Sequence, residues 1–258
     1  MSVRVSGLLA TAVKGMRVLA HDTIHLDRAG VAENRRFFLV DARGRMVNGK
    51  QLGGLHAVVA DYSHPERTLT LRFPDGTQVS GRVAEGTPIE AQFFSRTVTA
   101  SLLDGPWSDV LSARADRPLR LVESELHGGA VDRGAGGTVS LVSRASLERL
   151  AAAAGVERLD ARRLRMLIEI DGVGANEEDG WLERPLRIGE ATVALRGHVG
   201  RCLVTSRDPE SGERDVDTLG ALATYRRDGG TTEPLACGVY GEVLEPGTVR
   251  VGDPVALV

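Results

Sequence analysis

Cysteine occurs at only two positions in this chain, Cys202 and Cys237. A thiolate is a strong nucleophile and a soft metal ligand, so these two are the first candidates for chemistry. Cys202 stands in GRCLVTSRDPESGER (200–214), directly after Arg201 and ahead of the turn-forming run Asp208-Pro209-Glu210-Ser211-Gly212. A neighbouring cation favours the charged sulfur, but adjacent side chains of a strand point to opposite faces. Buried filler and reactive sulfur both stay open on these grounds. Cys237, in the apolar LACGVY, reads as core. His198 lies four residues before Cys202, and because Cys/His pairs are spatial rather than sequential, that spacing carries no weight. His21, His25, His56, His64 and His127 form no ligand pattern, and no CxxC or Cys/His cluster has zinc spacing. The glycine-rich HGGAVDRGAGG (127–137) contains neither GxGxxG nor GxxxxGK[ST]. The acidic GANEEDG (174–180) reads as a solvated loop rather than a metal site.

The bulk composition narrows the class. With 42% hydrophobic and 26% charged residues over 258 positions, the chain reads as a soluble globular protein of one large or two smaller domains. A formal net charge of −3 argues against nucleic acid and anionic membrane as partners. Only Lys14 and Lys50 are lysines, the other basic residues being arginines suited to bidentate anion contacts or reflecting genomic base composition. Two cysteines 35 positions apart make no disulfide framework, which fits a reducing compartment. No apolar run approaches the ~20 residues needed to span a bilayer, so a cytoplasmic location is expected.

The elements that must position these residues are mostly strands. RRFFLV (35–40), DARG (41–44) and RMVNGK (45–50) read as a hairpin, as do TLTLRF (68–73), PDGT (74–77) and QVSGRV (78–83). TVTASLL (97–103) and PLRLVES (118–124) add strands, and 104–137 reads as a long exposed loop with a domain boundary near 115. Ser143 can cap a helix with an apolar face of Leu147, Leu150, Ala151 and Ala154, ended by Gly155. LRMLIEI (164–170), LRIG (186–189), ATVALR (191–196) and RCLVTS (201–206) read as further strands. Asp217 or Thr218 can cap a helix over 218–227, and 237–258 reads as a strand meander. The expected class is therefore mainly β or α+β, a β-barrel with isolated helices plus an N-terminal β-rich domain, divided as 1–115 and 116–258.

The C-terminal half resembles the MOSC family, named for the C-terminal domain of molybdenum cofactor sulfurase. The residues that carry the likeness are Arg165, the Arg-Cys-x-x-Thr-x-x-Asp-Pro-x-x-Gly pattern of 201–212, TLGALATYR (218–226) and GVYGEVLEPGTVRVGDPVAL (238–257). The N-terminal half resembles the β-barrel domain that precedes it in the amidoxime-reducing branch, through AVKGMR (12–17) and GVAENRRFFLVDARGRMVNGKQ (30–51). The resemblance implies a molybdenum cofactor (Mo-molybdopterin), not pyridoxal phosphate. It implies that Cys202 binds the metal, that Lys14, Arg36 and Arg165 hold the pterin phosphate, and that Arg201 and Tyr240 lie near the cofactor. Gly136 and Gly137 stand where the branch has a Thr-Ser pair, Gly15 where it often has serine, and Met166-Leu167 where it has Pro-Asn.

The function that this resemblance implies is a cofactor-dependent oxidoreductase that reduces N-hydroxylated or N-oxygenated small molecules. Its electrons would come from an external redox protein, since the chain has no flavin, haem or iron–sulfur motif. A sulfurtransferase carrying a persulfide on Cys202 is the alternative, and a non-catalytic cofactor-binding module is the third reading.

Overall fold

The computed structural model describes residues 2–125, 130–227 and 230–258. Its largest sheet has eight strands in the order Val255–Leu257, Pro185–Ile188, Ala191–Gly200, Ala236–Glu245, Val139–Ser143, Ile168–Asp171, Arg4–Ala10 and Leu19–His21. One neighbouring pair, Val139–Ser143 with Ile168–Asp171, is parallel. A parallel pair needs a crossover, and the helix Arg144–Ala153 supplies it. Ser143 caps that helix by accepting from the Ser146 N–H at 3.1 Å, and Gly155 follows in the left-handed region at φ +70. Val5, Leu8, Leu141, Ile168, Val193 and Val239 fill the concave side of the sheet.

The second body is a five-stranded sheet, Met46–Val47, Phe37–Val40, Arg120–Ser124, Arg96–Leu102 and Thr87–Phe93, with a three-stranded sheet of 59–63, 68–72 and 78–82 beside it. Both expected hairpins are present. Between the sheets lie Phe37, Tyr62, Leu69 and Trp107, and the Trp107 indole N–H donates to the Leu69 carbonyl at 3.1 Å.

Several local expectations need correction. The 104–137 stretch is not one long loop, because 107–115 is helical, with Trp107 and Leu111 buried on one face. Trp107, Val110 and Leu111 carry the helical spacing, but the surrounding Gly, Asp, Pro and Arg residues mask it. Residues 126–129 of the glycine-rich stretch, His127 among them, lie outside the described residues. The strand expected over 164–170 begins only at Ile168, since Ala161–Leu164 forms a 3-10 turn. RCLVTS is not a strand either: the preceding strand ends at Gly200, and Leu203–Ser206 is a 3-10 turn with Cys202 at its N-cap. Nor is GANEEDG wholly solvated, because Glu178 is fully buried.

The two bodies exchange strands. Arg4–Ala10 lies in the sheet of the C-terminal half, and Arg120–Ser124 lies in the N-terminal sheet against Phe37–Val40. The loop 11–17 joins Arg4–Ala10 to Leu19–His21 within the eight-stranded sheet. It touches the second body through the parallel bridge Val13↔Phe37 and the Lys14 N–H donating to the Phe37 carbonyl at 2.8 Å. The chain itself passes over between Thr23–Leu26 and Phe37–Val40. Among the described residues, no helix is long and apolar enough to cross a membrane.

Glu178 ties the crossover helix to the sheet by accepting from the Ser143 N–H at 3.1 Å and the Ser146 hydroxyl at 2.7 Å. Replacing it with alanine strands two buried donors, so Glu178→Ala is expected to lose about 2 kcal/mol in urea unfolding, and Glu178→Gln less than half of that.

Candidate functional site

Two adjoining cavities of about 170 and 360 Å³ open where the 11–17 loop meets residues 163–167 and the end of the Ala191–Gly200 strand. Lys14, Arg35, Phe94, Arg165, Arg201 and Cys202 line both. In a chain of net charge −3, this clustering of cations around one sulfur is the main chemical feature of the cleft.

Cys202 reaches the cleft because the long strand is irregular. Its register against Ala236–Glu245 shifts between Thr192 and Val193, Leu195 and Gly197, and His198 and Gly200. Such bulges bend a strand and re-aim the residues after them. The turn beyond Gly200 is pinned from both ends. The Cys202 carbonyl accepts from the Thr205 N–H and hydroxyl, both at 3.0 Å, while the Asp208 carboxylate accepts from Glu210 and Ser211 N–H at 3.0 and 2.7 Å. The Arg-Cys-x-x-Thr-x-x-Asp-Pro pattern is thus a scaffold for a half-buried sulfur. Cys237 is buried in the core, where burial pushes its thiol up to about 11.

Arg201 does not stack on the sulfur beside it. Its guanidinium is spent on the Cys237 carbonyl, the Leu164 carbonyl at 2.8 Å and the Met166 sulfur at 2.9 Å. Arg165 sits in the left-handed region at φ +53 and donates to the Met16 carbonyl at 2.8 Å. Neither has a carboxylate in ion-pair range among the described residues. Burial, aggravated by Arg35, lowers Arg165 to about 9, while Asp132 and Cys202 pull the other way. Burial likewise lowers Arg201 to about 10, against opposing pulls from Cys237 and Cys202. Two part-buried guanidinium charges, held only by neutral acceptors among the described residues and facing the cleft, suit an anionic ligand.

Four further cations of the cleft are already paired with carboxylates. Lys14 and Arg35 share Asp132, the latter at 3.0 Å. Burial pushes the Asp132 carboxyl up, but Lys14 and Arg35 outweigh it and hold the group at about 2. Arg163 pairs with Asp215 at 2.7 and 2.5 Å. Arg133 pairs with Glu233 and lies 4.3 Å from the centre of the Tyr240 ring.

Of the residues expected from sequence, Lys14, Gly137, Arg165, Arg201, Cys202 and Tyr240 come together here. Arg36 does not. It is buried against the N-terminal sheet, 2.6 Å from Glu123 and over the Tyr62 ring. Arg35 takes its place in the cleft, because a left-handed φ of +50 turns it out of the alternation that buries Arg36. Gly136 also stays outside the lining, and a Cβ at Gly137 would meet the Arg133 Cβ at 2.2 Å, so no hydroxyl side chain fits there. Gly15 has φ +92, a conformation a serine adopts only with strain. Asp132, Arg35 and Phe94 carried no motif that could have revealed them. His198 belongs to a structural network with Thr232 and Asp179 and not to a Cys/His pair.

Behind the cleft, both ring nitrogens of His56 are buried without partners, and its Nε2 would lie 2.5 Å from a Cβ at Gly49, a lining residue. Burial, with Arg165 and Arg207 nearby, lowers His56 to about 4. Unfolded chain therefore takes up a proton that the folded protein refuses, and stability falls as pH drops from about 6.5 toward 4. The expected loss is ~3 kcal/mol across that window. His56→Leu is expected to flatten that part of the stability curve in urea unfolding at stepped pH.

Comparison with known proteins places these features. A family model described as MOSC domain matches residues 124–256, and one described as MOSC N-terminal beta barrel domain matches residues 2–106. The chain is 36% identical over 123 residues to mitochondrial amidoxime-reducing component 1 of Mus musculus, covering 45% of this chain and 35% of the relative. It is 28% identical over 186 residues to mitochondrial amidoxime reducing component 2 of Rattus norvegicus, covering 70% of this chain and 54% of the relative. These matches span between about a third and a half of the relatives' lengths. The crystal structure of the YUAD protein from Bacillus subtilis aligns over 99% of this chain and 94% of that one, with a TM-score of 0.49 and 11% identity. With its mainly β architecture and both family models matched in order along the sequence, the chain belongs to the MOSC domain family.

Proposed function

We propose that this protein binds a molybdenum cofactor in the cationic cleft and reduces N-hydroxylated or N-oxygenated small molecules there, with electrons from a separate redox protein. The observation that carries the reading is the pair of part-buried guanidiniums, Arg165 and Arg201, held by neutral acceptors only among the described residues, beside a half-buried cysteine. The residues fit the group. Guanidinium forks and an ammonium suit a phosphate, and a thiolate suits a high-valent soft metal.

In this reading residues 1–115 supply Lys14, Arg35 and Phe94, and residues 116–258 supply Arg165, Arg201, Tyr240 and Cys202. Lys14, Arg35 and Arg165 bind the pterin phosphate, with Asp132 giving up its pairs to the incoming anion. Arg201 braces residues 164–166 against the end of the strand that presents Cys202. Cys202 ligates the metal. When bound, the cofactor supplies two-electron reduction, converting R–NHOH with two electrons and two protons into R–NH2 and water. The mitochondrial amidoxime-reducing components it resembles support the choice of substrate class.

The test is protein produced in a host that makes the cofactor, assayed for molybdenum, for released pterin and for reduction of hydroxylamines and amidoximes with a chemical reductant. Wild type is expected to carry both components and to turn over. Cys202→Ala, which leaves no donor atom at that position, is expected to keep pterin, lose most of its molybdenum and fall on the order of 100-fold in activity, at the upper end of what loss of an outer-shell partner costs. Arg165→Met is expected to lower pterin content. Fully loaded protein that leaves every N-hydroxylated compound untouched would end the reductase reading. A persulfide on Cys202 in intact-mass analysis, without molybdenum, would support sulfur transfer instead.

A further inference from the structure

Phe94 is the residue in the cleft that the proposed function leaves unused. It lies between the strands Thr87–Phe93 and Arg96–Leu102, whose pairing Phe93↔Arg96 leaves Phe94 and Ser95 as a two-residue hairpin loop. Such loops demand positive φ, and glycine, asparagine or aspartate meets that demand without strain. Here a phenylalanine sits at φ +55. It is also 56% exposed, the largest exposure of any aromatic side chain among the described residues. A turn chosen for stability would have neither property.

The ring borders both cavities that contain Cys202. It packs edge-on against the buried Phe93, with ring centres 5.3 Å apart and planes at 89°. The Gln92 side chain donates to the Phe94 carbonyl at 2.8 Å, which fixes the turn. Lys14 and Lys50 each place an ammonium 5.9 Å from the ring centre. The side chain is thus anchored on one edge while more than half of its surface stays exposed, part of it bordering the cleft and part a separate hollow beside Asp41 and Arg45. Arg35 and Arg165, also left-handed non-glycine residues, border the same cavities. With Phe94 these are three of the eight left-handed non-glycine residues among those described, and a strained residue at a cleft is a reason to ask what its side chain does there.

We infer that Phe94 is a specificity-determining platform that stacks planar, π-delocalised N-hydroxylated compounds, such as aromatic amidoximes, and so favours them over aliphatic ones. The inference rests on the reductase reading for the kind of substrate, but the binding it describes is separable from turnover. A phenyl face attracts a flat conjugated ligand by stacking and gives a small aliphatic ligand little to touch. Phe94 acts by positioning and takes no part in the chemistry.

The test compares benzamidoxime with acetamidoxime, which share the reacting group and differ in the ring. Affinities are measured by titration calorimetry on the cofactor-loaded protein and on Phe94→Asn. Wild type is expected to bind benzamidoxime about 2- to 10-fold more tightly than acetamidoxime. Phe94→Asn is expected to erase that ratio while raising the midpoint of thermal unfolding, since asparagine relieves the turn. Opposite signs on ligand preference and stability are what a merely structural residue would not give. Three results would overturn the inference: no aromatic preference in wild type, an unchanged ratio in the variant, or loss of pterin from the variant, which would put the ring on the cofactor. An aromatic preference without turnover would leave the platform standing and defeat the reductase reading.

Discussion

The architecture turns on two part-buried positive charges that, among the described residues, have no carboxylate within ion-pair range. Arg165 and Arg201 are held by the Met16, Leu164 and Cys237 carbonyls and the Met166 sulfur. Neutral acceptors satisfy N–H groups but leave a charge uncompensated, and a partly desolvated cation in that condition costs stability. In the proposed reading an anion completes the pair. Around it lie the 11–17 loop that brings Lys14, the left-handed residues Arg35 and Arg165, and the bulged strand that ends just before Cys202.

The strand exchange between the two bodies follows the same logic. A cleft between two independently packed domains would leave its cations on surfaces free to move apart. With Arg4–Ala10 in one sheet and Arg120–Ser124 in the other, the chain passes twice between the bodies. Arg35 lies on the first of these passages, between Thr23–Leu26 and Phe37–Val40, and Asp132, which pairs with both Arg35 and Lys14, comes after Arg120–Ser124 on the return. A ligand bridging Lys14 and Arg165 would therefore stabilise the contact between the halves as well as its own site.

Much of this is legible in the sequence. Alternating runs and turn residues mark both N-terminal hairpins, and Ser143, Asp217 and Gly155 mark helix ends where caps form. Cys202, Lys14, Arg165, Arg201 and Tyr240 stand out because a family pattern lies over them. The features that escape have tertiary causes. The choice of Arg35 over Arg36 depends on a backbone φ that no residue type at position 35 announces, and on Glu123 from a distant strand. Asp132 is hidden in a glycine-rich stretch, and Phe94 occupies a turn where its residue type argues against a turn at all. The strand expected at RCLVTS fails because Thr205 and Asp208 close a 3-10 turn that propensity alone does not reveal.

The proposed reading requires that the cleft hold its anionic ligand with the metal on Cys202. Anomalous diffraction at the molybdenum edge, on crystals of protein made in a cofactor-competent host, is the most direct measurement of this. The expected result is an anomalous peak within bonding distance of the Cys202 sulfur and phosphate density against Lys14, Arg35 and Arg165. A peak elsewhere in molybdenum-loaded protein, or phosphate density away from those three residues, would contradict it.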